Sequence, residues 1–135
     1  MARTGDTYTI LLNRAMLEWG THRYTDSRGQ VYGEGYLAIP AQYAYDFKLF
    51  NGNHTGNVDV LGENIFRCTS TDGFLNCLVK SQGNQSDTEY AKQFSVNDDL
   101  KALGNWYHNN HAVPGDSVRV RFISPTDVEF EFIPA

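Results

Sequence analysis

Leu100-Lys101-Ala102-Leu103-Gly104-Asn105-Trp106-Tyr107-His108-Asn109-Asn110-His111-Ala112-Val113-Pro114-Gly115-Asp116, running into Ser117-Val118-Arg119-Val120-Arg121-Phe122, decides the fold. Leu100, Leu103 and Tyr107 fall on one helical face, so the stretch opens as a short amphipathic helix. Ser95, with Asp98 three residues on, resembles its capping box. Pro114-Gly115-Asp116 is a tight-turn signal. From residue 117 apolar and polar residues alternate, which is the period of a half-buried strand.

Working outward, the last two strands form a hairpin. Val118, Val120 and Phe122 point one way and Arg119 and Arg121 the other, while Val128, Phe130 and Phe132 point in and Glu129 and Glu131 out. A short loop at Ser124-Pro125-Thr126 sets Arg121 opposite Glu129 and Arg119 opposite Glu131. These arginines therefore read as paired surface charges, not as a basic patch. Earlier, Asp72-Gly73 carries the signal of a two-residue hairpin turn between strands at 65–71 and 74–80. That register puts Ser70 opposite Leu75 and Cys68 opposite Cys77, with both cysteines on the core face shared by Phe66, Leu75 and Val79. In a reducing compartment they are buried thiols; a cross-strand disulfide is the alternative.

Residues 7–12 read as a first strand, with 11–17 able to continue as a helix, and 35–39 as a second strand ending at Pro40. Pro40 opens a helix over 41–47 that turns Ala44, Phe47 and Leu49 inward. Residues 58–61 read as a short strand, and 91–94 as another. The expectation is seven or eight short strands with two short helices at the connections, in a single mainly β domain spanning residues 1–135. Two long polar segments interrupt it, 19–32 and 81–90. Loops of such length are usually functional or disordered.

Aromatic residues make up 13% of the 135 residues, which suits a β-rich core, and the formal net charge is −5. That charge argues against non-specific nucleic-acid binding, which draws on a basic face, but leaves room for local positive charge. No apolar run reaches membrane-spanning length and residues 1–6 are polar, so a cytoplasmic, non-membrane protein is expected.

The order strand, long polar loop, strand ending Tyr36-Leu37-Ala38-Ile39-Pro40, short helix, hairpin, polar arm, then helix-Asn109-Asn110 and Gly115-Asp116-strand resembles the DNA-binding pseudobarrel family. That family includes the plant B3-type domains and the effector-binding domains of EcoRII-type restriction endonucleases. The Tyr-x-x-Ile-Pro stretch is similar to bacterial members. The resemblance implies an open pseudobarrel whose two arms enter the major groove of double-stranded DNA. Here the arms would be residues 19–32 and 81–93. On them Arg23, Arg28, Gln30, Gln82, Asn84, Gln85, Lys92 and Gln93 are suited to reading base edges. Thr25, Ser27, Ser81, Ser86 and Tyr90 suit phosphate oxygens. Asp26 and Asp87 suit a cytosine amino group or order their loops. Lys80 and Lys92 balance Asp87 and Glu89, so affinity would rest on fit and hydrogen bonds, with a shallow salt dependence.

The resemblance further implies a monomeric, non-catalytic recognition domain, with a nuclease elsewhere in the parent chain. No cofactor or metal is expected. His108-Asn109-Asn110-His111 matches His-Asn-His nucleases in letters alone, since here it closes a helix. No phosphate loop, Gly-x-Ser-x-Gly elbow or Cys-His pair is found. The alternative function is a small β-barrel binding carbohydrate or another small ligand, using Trp19, Tyr24, Tyr32 and Trp106 as exposed stacking rings. An enzyme using His22 or His54 with loop carboxylates is a third reading.

Overall fold

The computed structural model describes residues 1–18, 34–52, 58–83, 89–97 and 99–135. The strands are β1 (Thr7–Leu11), β2 (Leu37–Ala38), β3 (Ile65–Ser70), β4 (Asn76–Gln82), β5 (Gln93–Val96), β6 (Ser117–Ser124) and β7 (Asp127–Ile133). The helices are α1 (Arg14–Leu17), α2 (Ala41–Asp46) and α3 (Ala102–Asn109). The strands form one sheet in the order β1-β6-β7-β3-β4-β5-β2. Every pairing is antiparallel except β3 with β7, which is parallel. The sheet curls into a mainly β, open pseudobarrel whose edge strands β1 and β2 flank one unsealed seam.

Side chains bridge that seam where backbone pairing does not. Tyr8 Oη on β1 donates to the Ala38 carbonyl on β2 at 3.1 Å. The Tyr43 ring of α2 stacks on Tyr8 with centroids 5.2 Å apart. Burial pushes the Tyr8 phenol well up, so it stays a neutral donor. Inside, Phe66, Phe94, Phe122 and Phe130 are fully buried and contact one another at 5.5–5.9 Å. Ala44, Phe47 and Leu49 point inward as the pattern predicts.

The terminal hairpin has the register read from its alternation. Arg121 faces Glu129 and Arg119 faces Glu131, in ion pairs of 3.0 and 2.9 Å. Cys68 faces Cys77, and both are free thiols.

Four expectations change. Residues 58–60 take no strand, because Asn64 claims their backbone: its Oδ1 accepts from Val60 N and its Nδ2 donates to the Val58 carbonyl. Ser95 caps no helix; it lies buried within β5, and α3 begins at Ala102 without a side-chain cap. The 72–73 turn is not a two-residue hairpin: Gly73 N donates to the Ser70 carbonyl, Gly73 takes φ +78°, and Thr71 N bonds to Phe130 of β7. The helical continuation open to 11–17 is realised as α1, where Asn13 Oδ1 accepts from Met16 N at 2.9 Å, so the described residues hold three helices and not two. Among the described residues no helix is long and apolar enough to cross a membrane.

Candidate nucleic-acid interface

The two long polar segments rejoin the barrel on neighbouring rungs. The first returns into β2 and the second into β5, and these strands pair as Leu37 with Phe94 and Ala38 with Gln93. Because the pairing is antiparallel, the segments enter from opposite ends of a two-rung ladder.

The foot of the first segment is bound on three sides. Gly35 N donates to the Leu100 carbonyl and Tyr36 N to the Met16 carbonyl. Tyr107 Oη donates to the Tyr36 carbonyl at 2.7 Å. Burial raises the Tyr107 phenol far above its ordinary value and keeps its proton for that bond.

A single asparagine holds the second foot. Asn51 N donates to the Glu89 carbonyl, while its buried Oδ1 accepts from Gly83 N at 2.7 Å. One residue thus ties both ends of the segment. Gly52 N adds a bond to the Ser81 carbonyl. Asn51 opens an Asn- and Gly-rich stretch, 51–57, whose composition signals only a turn. A lone asparagine carries no signal for a partner 32 positions away.

Several predicted contacts are described. Ser81 does not face solvent: it is fully buried, and its hydroxyl donates to the Phe50 carbonyl at 2.8 Å. Gln82 and Gln93 pair across β4–β5, with Gln82 Oε1 also accepting from Ser95 Oγ at 3.3 Å. Tyr90 stacks on Phe50 and meets Tyr45 edge-on. Lys48 Nζ lies 4.0 Å from the centre of the Tyr45 ring and 5.6 Å from that of Tyr90, a cation on aromatic faces. Lys92 is exposed and makes no ion pair among the described residues. Arg23, Thr25, Asp26, Ser27, Arg28, Gln30, Asn84, Gln85, Ser86 and Asp87 lie outside the described residues, as do Trp19, Tyr24, Tyr32, His22 and His54.

Elsewhere positive charge is largely neutralised locally. Arg14 pairs with Glu18, Arg67 with Asp127, and Lys80 with Asp59 at 3.1 Å. Trp106 is not an exposed stacking ring. It is fully buried, and its Nε1 donates to the Asp72 carboxylate at 3.0 Å. Between α1 and α3, beside the first foot, lies a groove of about 470 Å³ lined in part by Arg14, Leu17, Glu18, His108 and Val113. No family model, curated protein or solved structure matches this chain.

Proposed function

We propose that this chain is a non-catalytic domain that binds double-stranded DNA sequence-specifically, with arms 19–32 and 81–93 in the major groove. The observation that carries the reading is the rooting of both polar segments at the two ends of the β2–β5 ladder, on the open edge of a pseudobarrel. A rigid ladder with side-chain clamps at each foot is what two reading arms need, because base contacts tolerate little misplacement. Arg23, Arg28, Gln30, Asn84 and Gln85 supply donors and acceptors for base edges. Lys92, grouped with the base readers in the sequence, is reassigned to a phosphate, because its backbone is bonded into the ladder at the foot of the segment. By its resemblance to the B3-type and EcoRII-type domains, the chain is the recognition part of a bacterial restriction endonuclease.

Selection on a random-core duplex library at about 0.1 M salt tests this. Enrichment of one short motif is expected. No enrichment, or binding lost uniformly as salt rises, would overturn it. Arg23→Ala and Arg28→Ala are each expected to weaken binding to the selected site by about 1–3 kcal/mol. Unchanged affinity in both would remove the first arm as a reader.

The groove between α1 and α3 favours the second reading, a small-ligand site, since its volume falls in the range of ligand pockets. Trp106 takes no part in it. Binding there would survive loss of Arg23, Arg28, Gln82 and Lys92.

A further inference from the structure

We propose that Cys68 and Cys77 form a peroxide-responsive dithiol, in which Cys77 is oxidised first and Cys68 resolves it to a cross-strand disulfide. The inference stands apart from the DNA-binding reading. It rests on the strand pair that holds the two thiols.

Cys68 on β3 and Cys77 on β4 are direct partners in the antiparallel register. Ser70 N bonds to the Leu75 carbonyl, and Ser81 N to the Asn64 carbonyl. Antiparallel rungs alternate, so the Cys68–Cys77 rung falls in the hydrogen-bonded set with those two. Partners on such rungs have Cα atoms about 5.5 Å apart, inside the Cα range of disulfides, while their Cβ atoms, at the wide end of about 4.5–5.5 Å, must close by roughly 1 Å for the bond to form. Both thiols face the core side of the hairpin, yet they differ in access. Cys68 is 1% exposed, while Cys77 is half-buried and open to a small oxidant.

That difference assigns the roles. Cys77 is the sulfur a peroxide can reach, and thiolates are the reactive form. Its neighbour Cys68 shifts the Cys77 thiol below its ordinary value, although burial and the charge of Asp99 oppose it. The buried Cys68 thiol is pushed well up and donates to the Thr69 carbonyl at 3.9 Å. A hydroperoxide takes an electron pair from the Cys77 thiolate, giving a sulfenic acid and releasing water or an alcohol. The Cys68 sulfur then attacks the sulfenic sulfur. The S–S bond forms, the S–O bond breaks, and the hydroxyl leaves with the Cys68 proton as water. Two thiols and one peroxide thus give one disulfide and two leaving oxygens, with two electrons moved from sulfur to peroxide.

The test exposes the reduced chain to hydrogen peroxide, then reads intact mass and thiol content under denaturing conditions. Both thiols are expected to disappear together, with a mass loss of two hydrogens in the monomer that a dithiol reductant reverses. Cys68→Ala is expected to block that loss and leave Cys77 as a sulfenic acid that dimedone traps. Cys77→Ala is expected to leave Cys68 unmodified at the same exposure. Oxygen added to the wild-type chain without paired thiol loss, a disulfide-linked dimer, or no reaction would each overturn the proposal. Thermal melts of both variants accompany the assay; if either is unfolded, the wild-type mass result decides alone.

Discussion

The Asp72 carboxylate accepts from Ser70 Oγ, Phe74 N, Trp106 Nε1 and Asn110 Nδ2. One exposed turn residue thereby fastens α3 to the β3–β4 hairpin. Partial burial pushes its carboxyl up, but the four bonds outweigh that and hold it down at about 2. A carboxyl depressed in the folded state stabilises the fold above its unfolded value near 3.9, and that stabilisation is lost as pH falls toward the folded value. Asp72→Ala is expected to cost about 2 kcal/mol at neutral pH, since it leaves the buried Trp106 N–H unpaired. The gap to wild type should narrow between roughly pH 4 and pH 2, as read by urea unfolding. None of this was legible in the sequence. Asp72 reads as a turn residue because it precedes Gly73, and its indole partner lies 34 positions away. Asn51 was hidden for the same reason. A polar side chain that ties distant backbone leaves no periodic trace.

Strands and helices were legible where a period repeats. The β6–β7 register followed from alternation and charge, and Cys68 opposite Cys77 followed from the spacing around the turn. Short elements were not, because tertiary partners outweigh a few residues of preference. Residues 58–61 carry strand-forming side chains, yet Asn64 takes their hydrogen bonds. Two residues of β2 are what remain of a longer predicted strand, since Gly35 is drawn toward α3. A Cβ at Gly35 would lie 2.9 Å from Gly104 N, 3.1 Å from Gly104 Cα and 3.2 Å from the Met16 carbonyl oxygen. All three are backbone atoms, so no side chain can swing aside. Gly35→Ala is expected to cost about 1–3 kcal/mol through backbone displacement, seen as a lowered thermal midpoint. Because Gly35 sits at the foot of the first polar segment, the proposed DNA-binding function predicts that affinity for a selected duplex falls with it.

Taken as a charged body, the protein is acidic, with a formal net charge of −5. Its described cations are mostly matched to carboxylates: Arg119 with Glu131, Arg121 with Glu129, Arg67 with Asp127 and Lys80 with Asp59. The pairing of Lys80 leaves Lys92 as the cation available at the second foot. On the proposed DNA-binding reading, few phosphates would be neutralised on binding and few counterions released. Lys92→Ala is expected to lower affinity similarly for all duplexes and reduce the salt slope by about one, measured by titration across a salt series. The order of strands bears on how the chain reaches this state. The sheet partner of β1 is β6, and β7 lies between β6 and β3. β1 therefore waits for β6, across a loop of about a hundred residues whose closure costs entropy before any contact offsets it. Closure of the barrel is thus a late event set by arrival of the terminal hairpin. Until then β1 has no sheet neighbour among the described strands, and the parallel edge of β3 stays open to any other strand it meets.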